Sequence, residues 1–272
     1  MKHATPADVI FPSPLAPRPV PASALVLLSG GQDSTTCLFW ALAPAPLGGG
    51  FERVEAVAFA YGQRHAVELH QAETVARLAG VPLTVRSLDG LFGASALLAD
   101  EAAAGGRAAD TNAAHPLAPD LPASFVPGRN ALFLAAAAAL AFSRGIGTLV
   151  GGMCQTDAAG YPDCRADFIA AQQHALSLAL GAPLAIATPL MTRTKAETWK
   201  LAADLGVVAG VDVLEAVREH SHTDYHGARD QRHPWGYGRL DNPASRLRAE
   251  GYAEAVRRGW IADDAGGQPA VP

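Results

Sequence analysis

The sequence predicts an α/β fold, a parallel five-stranded sheet wrapped by helices. Three observations carry that prediction. Short apolar runs alternate with helical stretches, the first run ends in a Gly-Gly turn that opens a helix, and 49% of the 272 residues are hydrophobic, enough to cover a sheet on both faces. "ALVLL" (24–28) is continuous and apolar, as a doubly buried strand requires, and "DSTTCLFWALA" after it reads as a helix with Asp33 in its first turn. "VEAVAFA" (54–60) is a second strand, "HAVELHQAETVARLAG" a helix closed by Gly80, and "PLTVRSL" a third strand. From 89 to 124 the pattern dissolves into Ala, Gly, Pro and Asp, which reads as an insertion over the sheet or a flexible lid. Alternation resumes with a helix over 130–143, the strand "GTLVGG", a helix over 166–180 and the strand "LAIAT". "TKAETWKLAADLG" closes the series, with Thr194 and Glu197 at capping-box spacing and Gly206 at the end. Five such units place ligands at the carboxyl ends of the strands.

This pattern divides the chain into a proline-rich, mobile tail (1–22), an α/β domain (23–218) and a loop-rich C-terminal appendage (219–272) with one closing helix near "RLRAEGYAEAVRRG". The tail has five prolines in its last twelve positions and no uninterrupted apolar core, so it is not read as a signal peptide. The longest greasy run, "ALFLAAAAALAF" (131–142), is too short to span a bilayer and reads as a buried helix. A soluble, cytoplasmic protein is expected, with no membrane partner. A net charge of −5 argues against direct nucleic-acid binding, and three cysteines give no even disulfide framework.

The strongest chemical signal is "LLSGGQDSTT". Glycines let the backbone turn tightly and bring bare N–H groups to an anion, and the helix amino terminus adds its positive dipole end. Leu28, Ser29, Gly30, Gly31, Gln32, Asp33, Ser34, Thr35 and Thr36 form the candidate nucleotide loop. It is not a Walker loop, since no lysine precedes the hydroxyls. The plainer alternative is a Gly-Gly turn of the kind any α/β protein uses.

"SGGQDS" resembles the pyrophosphate-binding loop of the N-type ATP pyrophosphatases, whose adenine nucleotide alpha hydrolase-like, Rossmann-like fold the resemblance implies here. "FAYGQRHAVEL", "FVPGRN", "GGMCQTDAAGYPDCRADF" and "TPLMTRTKAE", in order, narrow the likeness to the 7-cyano-7-deazaguanine synthase family. The resemblance implies an ATP-dependent carbon–nitrogen ligase that converts 7-carboxy-7-deazaguanine and ammonia to the nitrile precursor of queuosine, with Mg²⁺ shielding the triphosphate. It also implies a homodimer.

Within those motifs Arg129 offers a planar fork of donors for a carboxylate or phosphate, or is a surface arginine after a Pro-Gly turn. Asn130 follows it, and Arg165 closes the "YPDCR" segment; both are candidate substrate residues. Asp157 and Asp163 could accept from an aminopyrimidine edge or cap loops, and Tyr161 could stack on the ring. Lys195 in a first helical turn opposes the dipole, which a bound anion would resolve, so Lys195 and Asp33 are the candidate catalytic pair. Cys37 and Cys164 read as small buried hydrophobes.

In the family the C-terminal region carries four zinc-binding cysteines. The matching positions here are Asp224, Arg239, Asn242 and Ser245, amid surrounding letters that still align. A metal-free region with Asp224 and Arg239 paired is expected; a rebuilt site from His220, His222, Asp224, His226 and His233 is the alternative. Ala60 and Gln155 depart from the family's acids as well. Two readings stand: a working ligase with a metal-free tail, or an impaired homologue that binds nucleotide or deazaguanine as a regulator or partner subunit.

Overall fold

The computed structural model describes residues 23–62, 67–92, 114–115, 118–154, 161–224 and 227–262. The expected tail, most of the 89–124 insertion, Gln155, Asp157 and His226 lie outside them. In chain order the elements are β1 (Ser23–Leu27), α1 (Gln32–Leu42), β2 (Arg53–Ala60), α2 (Val67–Leu78), β3 (Leu83–Ser87), β4 (Ala114–His115), β5 (Ala118–Pro122) and α3 (Arg129–Ser143). There follow β6 (Thr148–Val150), a 3₁₀ turn (Pro162–Cys164), α4 (Ala166–Leu180), β7 (Ala185–Ala187), α5 (Lys195–Leu205), β8 (Val207–Val208), β9 (Val211–Asp212) and α6 (Val213–His220). The small hairpin β10 (Arg232–His233) and β11 (Gly236–Tyr237) precedes α7 (Pro243–Arg257).

All five expected strands form one sheet in the order β3-β2-β1-β6-β7, with every pair parallel. Val26 of the central strand stands between Ala56 and Val150. The strand order reverses between β1 and β6, so the connections leaving their carboxyl ends diverge and open a crevice there.

Alternate residues of each strand feed opposite layers. Ala24, Val26, Ala56 and Ala58 pack with Phe39, Val75, Trp199 and Val217 beneath α1, α2, α5 and α6. Leu25, Val57, Phe59 and Leu149 pack with Leu134, Ala141 and Ile169 of α3 and α4. The alanine-rich run is only half a buried helix. Leu134, Ala137, Ala138 and Ala141 are buried, whereas Leu132 and Phe142 on its other side are exposed.

The C-terminal segment shares the first of these cores. Trp199 of α5 is fully buried and stands edge-on to Tyr252 of α7 at 5.2 Å, with Trp235, Ala255 and Ile261 in the same cluster. Its indole Nε1–H donates to the Arg248 carbonyl at 3.2 Å. Gly251 permits the approach, because a Cβ there would lie 2.6 Å from Lys195 Cβ. Packing against α5 thus ties the C-terminal segment to the sheet's first core.

No helix among the described residues is long and apolar enough to cross a membrane.

Candidate functional site

A cavity of about 500 Å³ opens at the β1–β6 crevice, and its walls come from both ends of the chain. One end is built on the turn between β1 and α1. Leu28 N–H still belongs to the sheet, donating to the Val57 carbonyl, and the chain then turns through Ser29, Gly30 and Gly31 into α1. The two serines brace the turn: Ser29 Oγ lies 3.1 Å from Ser34 Oγ, Gly31 N–H donates to Ser29 Oγ, and Ser34 Oγ donates to the Gly31 carbonyl.

α1 begins at Gln32 with Gly31 as its N-cap, and a glycine cap offers no side chain to compete with an anion for the N–H groups of the first turn. Gly30 has φ of +79°, and a Cβ there would sit 2.4 Å from the Glu68 carbonyl oxygen. That glycine is required by the approach of α2 as much as by any ligand.

Of the nine loop residues, Leu28, Ser29, Gly31, Gln32, Asp33 and Ser34 line the cavity. Thr35 and Thr36 lie behind it, fully buried, with Thr36 Oγ1 donating to the Gln32 carbonyl at 2.9 Å.

Lys195, the first residue of α5, extends its Nζ to Asp33 Oδ2 at 2.5 Å. The pair joins the first turns of two helices, so a carboxylate offsets the ammonium that the α5 dipole would repel. α5 itself starts with the expected capping box: Thr194 Oγ1 accepts from Glu197 N–H, and Glu197 Oε2 accepts from Thr194 N–H.

Over the loop lies a strap, residues 221–224, that sequence reading treated only as a possible metal site. His222 N–H donates to the Gly30 carbonyl at 2.8 Å. Its ring Nε2 lies 2.8 Å from the Asp224 carbonyl oxygen, which can only accept, so Nε2 carries the proton and Nδ1 is a bare acceptor. Nδ1 is buried and has no hydrogen-bond partner among the described residues. Burial first, and the Arg229 and Arg248 charges after it, outweigh the pull of Asp224 and hold the imidazole neutral, its pKa lowered to about 4.

Behind the strap Arg248 is 1% exposed and, among the described residues, donates to neutral acceptors: the Trp235 and Val217 carbonyls, Ser221 Oγ and Thr223 Oγ1. Burial draws its pKa down to about 9, with Asp33 pulling upward. It stays charged at neutral pH and lends positive potential to the cavity wall it lines.

The other end of the cavity is aromatic. Phe59 stacks on Phe133 at 4.8 Å, and Tyr61 meets Phe133 edge-on at 5.2 Å. Arg129, at the start of α3, lies 5.8 Å over the Tyr161 ring. Burial opposes charge on Arg129, but Tyr61, Tyr161, Asp163 and Glu68 outweigh it and hold the guanidinium pKa above its usual value. Glu68 shares this wall, and burial lifts its carboxyl above the ordinary range against the pull of Arg129. Tyr161 Oη and Ser124 Oγ are 2.7 Å apart.

Asn130 and Tyr161 line the cavity as well, while Asp163 and Arg165 do not. Asp163 Oδ2 accepts from Asn130 N–H at 2.9 Å, and thereby caps α3 and seats Arg129. Arg165 points outward and pairs with Asp167 at 3.3 Å. All three cysteines are buried thiols, and burial raises the Cys37 thiol well above its ordinary range. Ala60 ends β2 between Phe59 and Tyr61, which line the cavity, without lining it itself, and its carbonyl accepts from Leu88 N–H.

Glu68 and Arg248 were missed because nothing in their spacing marks them, and His222 was weighed only as a metal ligand. Arg248 in particular reads as a surface charge on an amphipathic helix, yet it is among the largest fully buried side chains.

The four positions matching the family's zinc cysteines do converge, but they do not fit the metal. Asp224 Oδ2 accepts from Arg239 N–H (2.7 Å), Asn242 Nδ2 (2.9 Å) and Ser245 Oγ (3.2 Å). An amide nitrogen, a hydroxyl and a main-chain N–H are donors that suit an anion, and no group of three His, Cys, Asp or Glu side chains gathers among the described residues. The expected Asp224–Arg239 pairing runs through the backbone; the Arg239 guanidinium pairs with Asp230 at 2.7 Å instead. His233 stacks on Trp235 at 4.6 Å, and its Nε2 contacts the Gly238 carbonyl rather than a metal position.

Residues 23–256 match the family model described as "Queuosine biosynthesis protein QueC". The chain is 49% identical over 245 residues to "7-cyano-7-deazaguanine synthase 1" of Rhodopseudomonas palustris, covering 85% of this chain and 94% of that one. It is 47% identical over 246 residues to the 7-cyano-7-deazaguanine synthase of Nitrobacter hamburgensis (89% and 98%), and 48% over 239 residues to that of Leptothrix cholodnii (85% and 95%). A solved structure of NMN synthetase from Francisella tularensis superposes with a TM-score of 0.39 and 12% identity, covering 93% of this chain and 91% of that one.

Proposed function

The chain belongs to the QueC family of queuosine biosynthesis proteins, and we propose that it converts 7-carboxy-7-deazaguanine and ammonia to 7-cyano-7-deazaguanine with ATP. The observation that carries this reading is one cavity lined at one end by the glycine-capped start of α1 with Lys195 and Arg248, and at the other by aromatic rings and Arg129. A nucleotide phosphate chain fits the first, and a flat heteroaromatic carboxylate fits the second.

Ser29, Gly31 and the first turn of α1 hold the phosphates, with Lys195 and Arg248 balancing their charge. Asp33 is the carboxylate that would share a Mg²⁺ arriving with the nucleotide; such ions commonly take one or two protein carboxylates, and the ion would shield the phosphates from repelling a nucleophile. Tyr61, Phe133 and Tyr161 hold the ring, while Arg129 holds the carboxylate by its planar fork. Glu68 and Asn130 face the same space and fix the orientation of the polar ring edge.

The carboxylate oxygen leaves bonded to phosphorus as ammonia enters, giving the amide. A second activation removes the amide oxygen with loss of the two N–H protons, giving the nitrile. Positioning and charge stabilisation are the protein's main contributions.

The test is a product assay: purified protein with 7-carboxy-7-deazaguanine, ammonium, Mg²⁺ and ATP, read by mass. Nitrile is the expected product. Amide alone would locate a failure at the second activation. No turnover with measurable ATP binding would replace this reading with that of a nucleotide-binding homologue.

A further inference from the structure

The strap 221–224 is tied at three points, and each tie leads to a different part of the molecule. His222 N–H reaches the Gly30 carbonyl of the phosphate loop at 2.8 Å. Ser221 Oγ and Thr223 Oγ1 accept from Arg248 at 2.8 and 2.9 Å. Asp224 then ends the strap in the buried cluster with Arg239, Asn242 and Ser245.

That cluster reverses the polarity of a thiolate–zinc centre. A zinc site sets a cation among anionic sulfurs; here an acidic oxygen sits among neutral donors, with Asp224 3% exposed and Asn242 and Ser245 fully buried. A buried acid is costly unless its lone pairs are met, and three donors meet one oxygen of Asp224. Asn242 serves twice. Its Nδ2 donates to Asp224, while its Oδ1 accepts from Ser245 N–H at 3.0 Å and caps α7, whose Arg248 holds the middle of the strap. Gly238 makes room, since a Cβ there would lie 3.1 Å from Ser245 Oγ and 3.3 Å from Asp224 Cβ.

We propose that this Asp224-centred hydrogen-bond clamp replaces the family's metal, and that Asp224 is a positioning residue for the nucleotide because it seats the strap on the phosphate loop. The positioning half rests on the ATP-dependent reading above; the metal-free half does not.

Three measurements on the full chain test it. Protein purified from zinc-supplemented culture, analysed by plasma mass spectrometry, is expected to hold less than about 0.1 zinc per chain and to melt identically with and without a chelator, since no structural metal contributes to folding. Near-stoichiometric zinc overturns the proposal.

Ser245→Ala removes one bond and Asp224→Ala removes the acceptor. Calorimetry is expected to show ATP affinity falling about threefold and about tenfold respectively, with 7-carboxy-7-deazaguanine affinity unchanged, on the scale of one or more lost hydrogen bonds. Lowered melting with unchanged ATP affinity would make the cluster structural only and overturn the positioning role; Ser245→Ala keeps this arm readable should Asp224→Ala not fold.

The combined variant Asp224→Cys/Arg239→Cys/Asn242→Cys/Ser245→Cys is expected to bind one Co²⁺ with thiolate charge-transfer absorption. Failure to bind it in folded protein would overturn the placement of the four positions around one centre. If the parent binds no ATP at all, the functional reading fails, while the zinc and cobalt measurements still judge the clamp.

Discussion

At the scale of single residues, the candidate site sets charges where each has an answer. Lys195 at a helix start is unfavourable alone, and Asp33 at another helix start is its answer, with side chains only 12% and 22% exposed. Replacing Lys195 by Met should raise the KM for ATP about tenfold or more and lower stability by about 1–3 kcal/mol, since Asp33 keeps its burial but loses its ammonium. The double variant with Asp33→Asn should recover part of that stability and none of the ATP affinity. Equal melting of the single and double variants would argue against the coupling.

His222 supplies a pH dependence. Its pKa falls from an ordinary 6.5 to about 4 on folding, so between those values the unfolded chain binds a proton that the folded chain refuses. Stability is therefore flat above about 6.5 and declines as pH drops toward 4, by on the order of 3 kcal/mol from this group. Urea unfolding of His222→Gln should show a shallower decline over that window. A slope equal to the parent's would assign the acid sensitivity to other groups.

At the scale of elements, the readable features are those made by neighbours in sequence. Thr194 and Glu197 stand three apart, and the capping box formed as expected. Thr194→Ala should cost about 1 kcal/mol in denaturant unfolding and fray the turn that carries Lys195. A loss below a few tenths would mean that burial of Trp199 alone holds the helix. The same local logic found five strands and the helix that follows the Gly-Gly turn. It overstated the burial of α3, because apolar composition does not say which face of a helix meets the sheet: Ala137, Ala138 and Ala141 are buried while Leu132 and Phe142 are exposed. Asp163 stayed ambiguous for a related reason: whether an acid caps a helix or meets a ligand depends on what lies 33 residues away, here Asn130 N–H.

At the scale of the whole molecule, the C-terminal segment is part of the core it seemed only to follow. Trp235, Tyr252, Ala255 and Ile261 share a cluster with Trp199 and Val26. Unfolding should accordingly be a single transition, with tryptophan fluorescence and far-ultraviolet dichroism coincident, and Trp199→Ala should cost about 3–5 kcal/mol. Two separated transitions would mean that the segment folds apart from the sheet.

The sequence by itself determined the sheet, its parallel order of units, the loop at the first carboxyl end, the capped helix and the family. The elements rest on interactions among residues a few positions apart, whose periodicity and turn chemistry a linear string records, and the family rests on the resemblance of motifs spread along the chain. Only the tertiary structure decided that Lys195 meets Asp33 across 162 residues, that Arg248 is buried rather than solvated, and that Asp224, Arg239, Asn242 and Ser245 close on one oxygen. A charge or donor has no fixed meaning until folding chooses its partner and removes its water, and that choice is made by chain segments far apart in sequence.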